Sequence, residues 1–152
     1  MSSVTVLAPC PGRVLPLSAC SDPVFSGEMV GPGLLIDPDP GETEVVSPIA
    51  GTVAKVHPHA FVVAGSDGVA VLVHLGINTV KLDGAGFTVL AEQGSTVEAG
   101  APMVRWDPSA ITADGMTSEV PVVLLDRPAG SVPAPAEGST VTTGDPLVTV
   151  DA

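Results

Sequence analysis

Seventeen glycines and sixteen prolines are spread through 152 residues, so the chain has little room for a helix of ordinary length. Proline removes a backbone donor and glycine weakens regular structure, so together they cut the chain into short pieces. The pieces read as strands: "SVTVLAP", "GRVLPL", "GLLIDP", "TEVVSP", "GTVAKV", "AFVVAG", "VAVLVHLGI", "FTVLAE", "PMVRWD", "VPVVLLD" and "LVTVD". Most are rich in valine and end at Gly, Pro, Asp or Ser, the punctuation of short strands. Helical signals are confined to single turns. One lies in "DPSAITADG", with Asp107 as cap and Pro108 at the first position; another lies in "GINTVKLDG", with Asn78 or Thr79 as cap. The expected fold is all-β, an antiparallel sandwich or flattened barrel with at most short helical turns, in a single domain over residues 1–152.

The chain repeats itself. "AEQGSTVEAGAPMVRWD" (Ala91–Asp107) matches "PAEGSTVTTGDPLVTVD" (Pro135–Asp151), both reading G-S-T-V-x-x-G-x-P-[ML]-V. A looser pair is "APCPGRV" (Ala8–Val14) and "SPIAGTV" (Ser47–Val53). Each unit is a strand, a Gly turn and a strand. One copy cannot bury its own apolar face, whereas two copies facing each other across a pseudo-twofold can. Biotinyl and lipoyl carrier domains use similar phrases, but they present a lysine at a hairpin tip. The tip here is "GSDG", and Lys55 sits inside a strand-like run. No cofactor attachment is expected.

Charge narrows the partners. The formal net charge is −12, and the five basic residues, Arg13, Lys55, Lys81, Arg105 and Arg127, are scattered singly. Nucleic acids and anionic membranes need clustered Lys and Arg, so neither is an expected partner. A basic protein partner fits better, because opposite charges speed encounter, although charge alone points first to solubility. No apolar segment reaches the ~18 residues of a membrane span, and no secretory leader is read at the N-terminus. The expected location is cytoplasmic, with Cys10 and Cys20 as reduced structural thiols.

All three histidines lie in "HPHAFVVAGSDGVAVLVHLGINTV", His57 to Val80, at the two ends of an apolar hairpin. With Ser66-Asp67 as the turn, His59 and His74 stand directly opposite. With Asp67-Gly68, His74 faces Phe61 and His59 lies on the diagonal of the same face. A slip of a single residue in this register would separate them. Two facing imidazoles suit a phosphoryl relay, in which one neutral nitrogen attacks phosphorus and the other ring supports the transferred group. They also suit zinc, with His57 of "HPH" as a possible third ligand beside His59 and His74. A pair of histidines bonded only to backbone carbonyls is the bland alternative.

At these residues the sequence resembles the glucose-type enzyme IIA component of the phosphoenolpyruvate-dependent sugar phosphotransferase system (the glucose/N-acetylglucosamine/β-glucoside family). The resemblance rests on "DPVF-x-x-x-MVG-x-G", "HAF" and "VH-[LF]-GI-x-TV-x-L-x-G-x-GF", in family order over nearly the whole chain. It implies an antiparallel β-sandwich with a duplicated hybrid motif. It implies His74 as phosphoacceptor through Nε2 and His59 as supporting residue. The implied donor is the phosphocarrier protein HPr, and the implied acceptor is a cysteine of the permease's IIB domain. Implied docking residues are Asp22, Val24, Phe25, Phe61, Leu75 and Asn78, with Asp22 meeting a partner arginine. Two positions depart from the family pattern. Asn78 stands where Asp is frequent, and "HPH" replaces the hydroxyl residue that precedes the supporting histidine in enteric relatives. The alternatives kept beside this reading are a zinc-binding hybrid-fold protein and a regulatory binding module without transfer.

Overall fold

The computed structural model describes residues 3–65, 67–136 and 138–151. Among these described residues thirteen short strands form three antiparallel sheets, as the Gly and Pro spacing predicts. The largest sheet has eight strands, β12-β2-β3-β11-β7-β6-β5-β9. In chain order these are β2 (Gly12–Pro16), β3 (Gly33–Pro38), β5 (Gly51–His57), β6 (Ala60–Ala64), β7 (Ala70–His74), β9 (Thr96–Val97), β11 (Val120–Leu124) and β12 (Thr140–Val141). A three-stranded sheet joins β4 (Thr43–Val46), β10 (Pro102–Trp106) and β8 (Thr88–Val89), and a ribbon pairs β1 (Ser3–Leu7) with β13 (Pro146–Asp151).

The sequence repeat is a structural repeat. Gly51 and Thr52 of β5 pair with Val97 and Thr96 of β9, and Gly12 and Arg13 of β2 pair with Val141 and Thr140 of β12. The loops repeat bond for bond. Val53 N donates to Ser95 O at 2.9 Å, and Val14 N donates to Ser139 O at 2.8 Å. The two halves cross at reciprocal bonds, Leu7 N to Pro48 O and Val46 N to Pro9 O, each 2.9 Å. Gly12 and Gly51 recur for a steric reason. A Cβ on Gly12 would sit 2.2 Å from Asp37 O, and one on Gly51 would sit 2.3 Å from Ala64 O. At both places a neighbouring strand occupies the space of a side chain.

Strand alternation divides the apolar residues between two clusters. Val71 and Val73 of β7, Phe61 and Val63 of β6, and Val120, Val122 and Leu124 of β11 enter the larger core with Trp106 and Met103. The smaller cluster comprises Leu17, Cys20, Phe25, Leu35, Ile77 and Val123. Strand β11 is buried at all five positions because it is covered on both faces, which explains the unbroken apolar run in "VPVVLLD". The smaller cluster is covered by two short helices, a 3-10 turn at Leu17–Ala19 and α1 (Pro23–Ser26). Sequence reasoning missed both, although Asp22 followed by Pro23 is a helix-start signal. The Asp22 carboxylate does accept from Val24 N at 2.9 Å. The two expected helical turns are present, Pro108–Ala110 capped by Asp107 and Thr79–Leu82 beginning after Asn78. Cys10 and Cys20 are free and lie in different clusters, and burial, helped by Asp39, pushes the Cys10 thiol up to about 12. No helix among the described residues is long and apolar enough to cross a membrane.

Candidate functional site

His74 is the last residue of β7 and lies on the sheet face opposite the larger core, as alternation from the buried Val71 and Val73 requires. There the strand gives way to a tightly bonded loop. Gly76 takes φ +82°, and Asn78 takes φ 62°. Leu75 N donates to His59 O at 2.7 Å, Gly76 N to Glu119 O at 2.9 Å and Ile77 N to Thr117 O at 2.9 Å. The buried Thr79 hydroxyl donates to Leu75 O at 2.6 Å. These bonds tie the loop to the β5–β6 turn, to the segment that leads into β11 and to itself, so the ring of His74 projects from a firm support.

The ring is held as well. Its Nδ1 lies 2.6 Å from Gly76 O. A carbonyl oxygen only accepts, so Nδ1 carries the proton and the lone pair belongs to Nε2. Burial lowers the His74 pKa below the ordinary histidine value, although the Gly76 bond and the nearby Asp22 oppose this. The neutral, nucleophilic form therefore prevails at neutral pH.

His59 reaches His74, but by a route other than either expected register. His74 pairs with Ala60, the one-residue slip that would separate the histidines if both lay in regular strands. His59 does not lie in one. Strand β5 ends at His57 and β6 begins at Ala60, leaving Pro58 and His59 as the two-residue turn between them. Outside the ladder its ring is freed from alternation, and the two ring centroids lie 5.2 Å apart, edge to face. The hairpin turn on which the expectation relied includes Ser66, outside the described residues. Burial first, then His74 and His57, lowers the His59 pKa too.

His57 stacks on His59 at 5.9 Å between centroids. Ring contacts thus run from His57 to His59 and from His59 to His74. Among the described residues no group of three or more His, Cys, Asp and Glu side chains is arranged to hold a metal ion.

The expected docking residues separate by burial. Asp22 is half-buried beside the site, while Val24 and Asn78 are exposed. Phe61 and Leu75, also expected to dock a partner, are 1% and 0% exposed and belong to the larger core. Their inward direction follows from β6–β7 alternation and its continuation past His74. Phe25, likewise expected to dock, turns inward. It is buried in the smaller cluster and backs the imidazole of His74, with centroids 5.3 Å apart and planes tilted by 55°. Asn78 spends its amide on the protein, since Nδ2 donates to Gly115 O at 2.7 Å.

Sequence reasoning overlooked Met29, Val30 and Val80, exposed apolar residues on the segments that follow α1 and the His74 loop. Their signal was present, because "MV" and "TV" fall inside the very motifs singled out. Gly76 and Thr79, which hold the loop, were also within a quoted motif without an assigned task.

Comparison with known proteins bears on the family and the fold. The family model for the phosphoenolpyruvate-dependent sugar phosphotransferase system, EIIA 1, matches residues 4–129. The chain is 38% identical over 126 residues to a PTS system glucose-specific EIIA component of Staphylococcus epidermidis, covering 82% of this chain and 75% of that one. It is 39% identical over 125 residues to the component of that name from Staphylococcus aureus, covering 81% and 74%. Among solved structures, glucose permease IIA from Mycoplasma capricolum superposes with a TM-score of 0.87 at 28% identity, covering 98% of this chain and 96% of that chain. The M23 metalloprotease pseudoalterin, at TM-score 0.52 and 15% identity over 94% and 97% of the chains, shares the fold alone. The chain belongs to the EIIA 1 family of the phosphoenolpyruvate-dependent sugar phosphotransferase system, whose members are phosphotransferase components.

Proposed function

We propose that the chain acts in the cytoplasm, as one domain over residues 1–152, as a phosphoryl carrier that takes its group from phospho-HPr on His74 and passes it to a cysteine of a permease IIB domain. The observation that carries this reading is the His74 Nδ1 bond to Gly76 O, which leaves Nε2 as an unprotonated nucleophile in a half-buried setting. In the first step the Nε2 lone pair attacks phosphorus, a new N–P bond forms, and the bond from phosphorus to the donor breaks, its electrons leaving with the donor. The Nδ1–H donates to Gly76 O throughout. As positive charge builds on the ring, that charge-assisted bond strengthens. His59 stands where it can donate to the phosphoryl oxygens. In the second step a thiolate attacks the same phosphorus, and the His74 nitrogen leaves. Little bond chemistry is asked of the protein beyond holding groups in line, which suits a site built from backbone bonds.

Incubation with phosphoenolpyruvate, enzyme I and HPr tests the reading. One acid-labile phosphoryl group per chain is expected, absent in His74→Ala and present but slow to leave for IIB in His59→Gln. Wild-type labelling of a folded His74→Ala protein would overturn the assignment.

A further inference from the structure

The half-buried Glu119 carboxylate has no ion-pair partner among the described residues, yet it accepts three hydrogen bonds beside the site. Ser21 N donates to Oε2 at 3.1 Å, the Ser21 hydroxyl donates to Oε1, and the Thr117 hydroxyl donates to Oε1 at 2.8 Å. Its position comes from the sheet. Val122 pairs with Val73, and continuing that register past the start of β11 brings Glu119 opposite Gly76, whose N–H its carbonyl accepts at 2.9 Å. Glu119 thus touches both halves of the site. Its main chain holds Gly76, the acceptor for His74 Nδ1. Its side chain holds Ser21, next to the Asp22 cap of α1, and α1 carries Phe25 against the His74 ring. A four-residue helix cannot hold its own position. Something outside it must set the distance from Phe25 and Asp22 to the imidazole.

We propose that Glu119 is a positioning residue for phosphoryl transfer, clamping the Ser21–Asp22 segment so that Phe25 and Asp22 are held in place around His74. This rests on the phosphocarrier reading above. The clamp acts through hydrogen bonds, not through charge at phosphorus: the carboxylate would repel an incoming phosphoryl group, and its oxygens are already engaged by donors.

The test compares wild type, Glu119→Ala, Glu119→Gln, Ser21→Ala and the Glu119→Ala, Ser21→Ala double variant. Readouts are steady-state transfer from phospho-HPr and the proton resonances of the His74 ring, which report the ring current of Phe25. Glu119→Ala is expected to lower kcat/KM about tenfold, as small misplacements of reacting groups do, and to move the His74 ring resonances in the folded protein. Glu119→Gln keeps an acceptor oxygen and is expected to recover to within about threefold of wild type. The double variant should be no worse than Glu119→Ala. The proposal is overturned if folded Glu119→Ala transfers at the wild-type rate, if its His74 resonances do not move, or if Gln is as impaired as Ala. Should Glu119→Ala fail to fold, Ser21→Ala decides alone, and wild-type transfer with unmoved resonances overturns the clamp. If wild type itself accepts no phosphoryl group, the carrier reading fails, while the resonances still show whether the clamp positions the ring.

Discussion

His74 Nδ1 and the carbonyl oxygen of Gly76 lie 2.6 Å apart, a contact that requires the chain to turn sharply two residues after the imidazole. Gly76 makes that turn at φ +82°, where a Cβ would lie 2.5 Å from Thr79 Cγ2 and 2.6 Å from Thr117 O. Neither neighbour is free to move, since Thr79 is fully buried and bonded and Thr117 O accepts from Ile77 N. Gly76→Ala is expected to cost about 1–3 kcal/mol from backbone strain. It should also slow phosphorylation more than a surface change of equal stability cost. Urea unfolding and the rate of labelling from phospho-HPr measure the two effects.

The folded-state pKa values of His59 and His74 are both lowered, chiefly by burial. The sign of the stability effect follows. Well above pH 6.5 both rings are neutral in the folded and unfolded chain, so they contribute no pH dependence. As pH falls through 6.5 the unfolded chain takes up protons that the folded chain refuses, and stability declines until the folded pKa values are passed. Wild type should therefore lose more stability between pH 7 and pH 5 than a His59→Gln, His74→Gln variant. Urea unfolding across that range gives the difference. Phosphoryl acceptance should fall off at a lower pH than the ordinary histidine value, since burial lowers the His74 pKa.

Phe25 supports the site from within. Phe25→Ala is expected to cost about 3 kcal/mol, in the lower range for a buried aromatic, because it opens the small cluster formed with Leu17, Cys20, Leu35, Ile77 and Val123. Phe25→Leu should fold well and show a reduced kcat with KM for phospho-HPr nearly unchanged at low and high salt. A raised KM in a folded Phe25→Leu protein would instead assign Phe25 to the docking surface.

Met29 and Val80 are 76% and 57% exposed, large apolar side chains left in water on the two segments that flank His74. Apolar side chains exposed beside a reactive group are expected to contribute to partner binding, with charged groups at the rim changing mainly the association rate. A Met29→Ser, Val80→Ser variant should keep its stability within about 0.5 kcal/mol, as surface changes do. It should raise KM for phospho-HPr severalfold at any ionic strength. Asp22→Asn should change the rate mainly at low salt. Titration of KM against salt separates these effects.

What the sequence determined by itself was whatever depends on nearest neighbours and on repetition. Gly and Pro spacing limited the chain to short strands, and Asp107-Pro108 marked a helical turn that is present. The G-S-T-V phrases identified two equivalent units, because Gly12 and Gly51 meet the same steric demand in each. The helix-start signal at Asp22-Pro23 was legible and went unread. The tertiary structure alone decided what depends on distant segments. The register that sets His74 against Ala60 follows from the pairing of β6 with β7 and of β7 with β11, which turn residues near position 67 do not reveal. His59 meets His74 only because the chain turns at Pro58–His59 and releases that ring from strand alternation. Phe61 and Leu75 point inward because the sheet has two faces and the larger core covers one of them, a choice made by packing among residues far apart in the chain. Glu119, just before β11, reaches Ser21 in the segment between the two short helices. No local pattern encodes such a contact, since its energy exists only once the strands between them have paired.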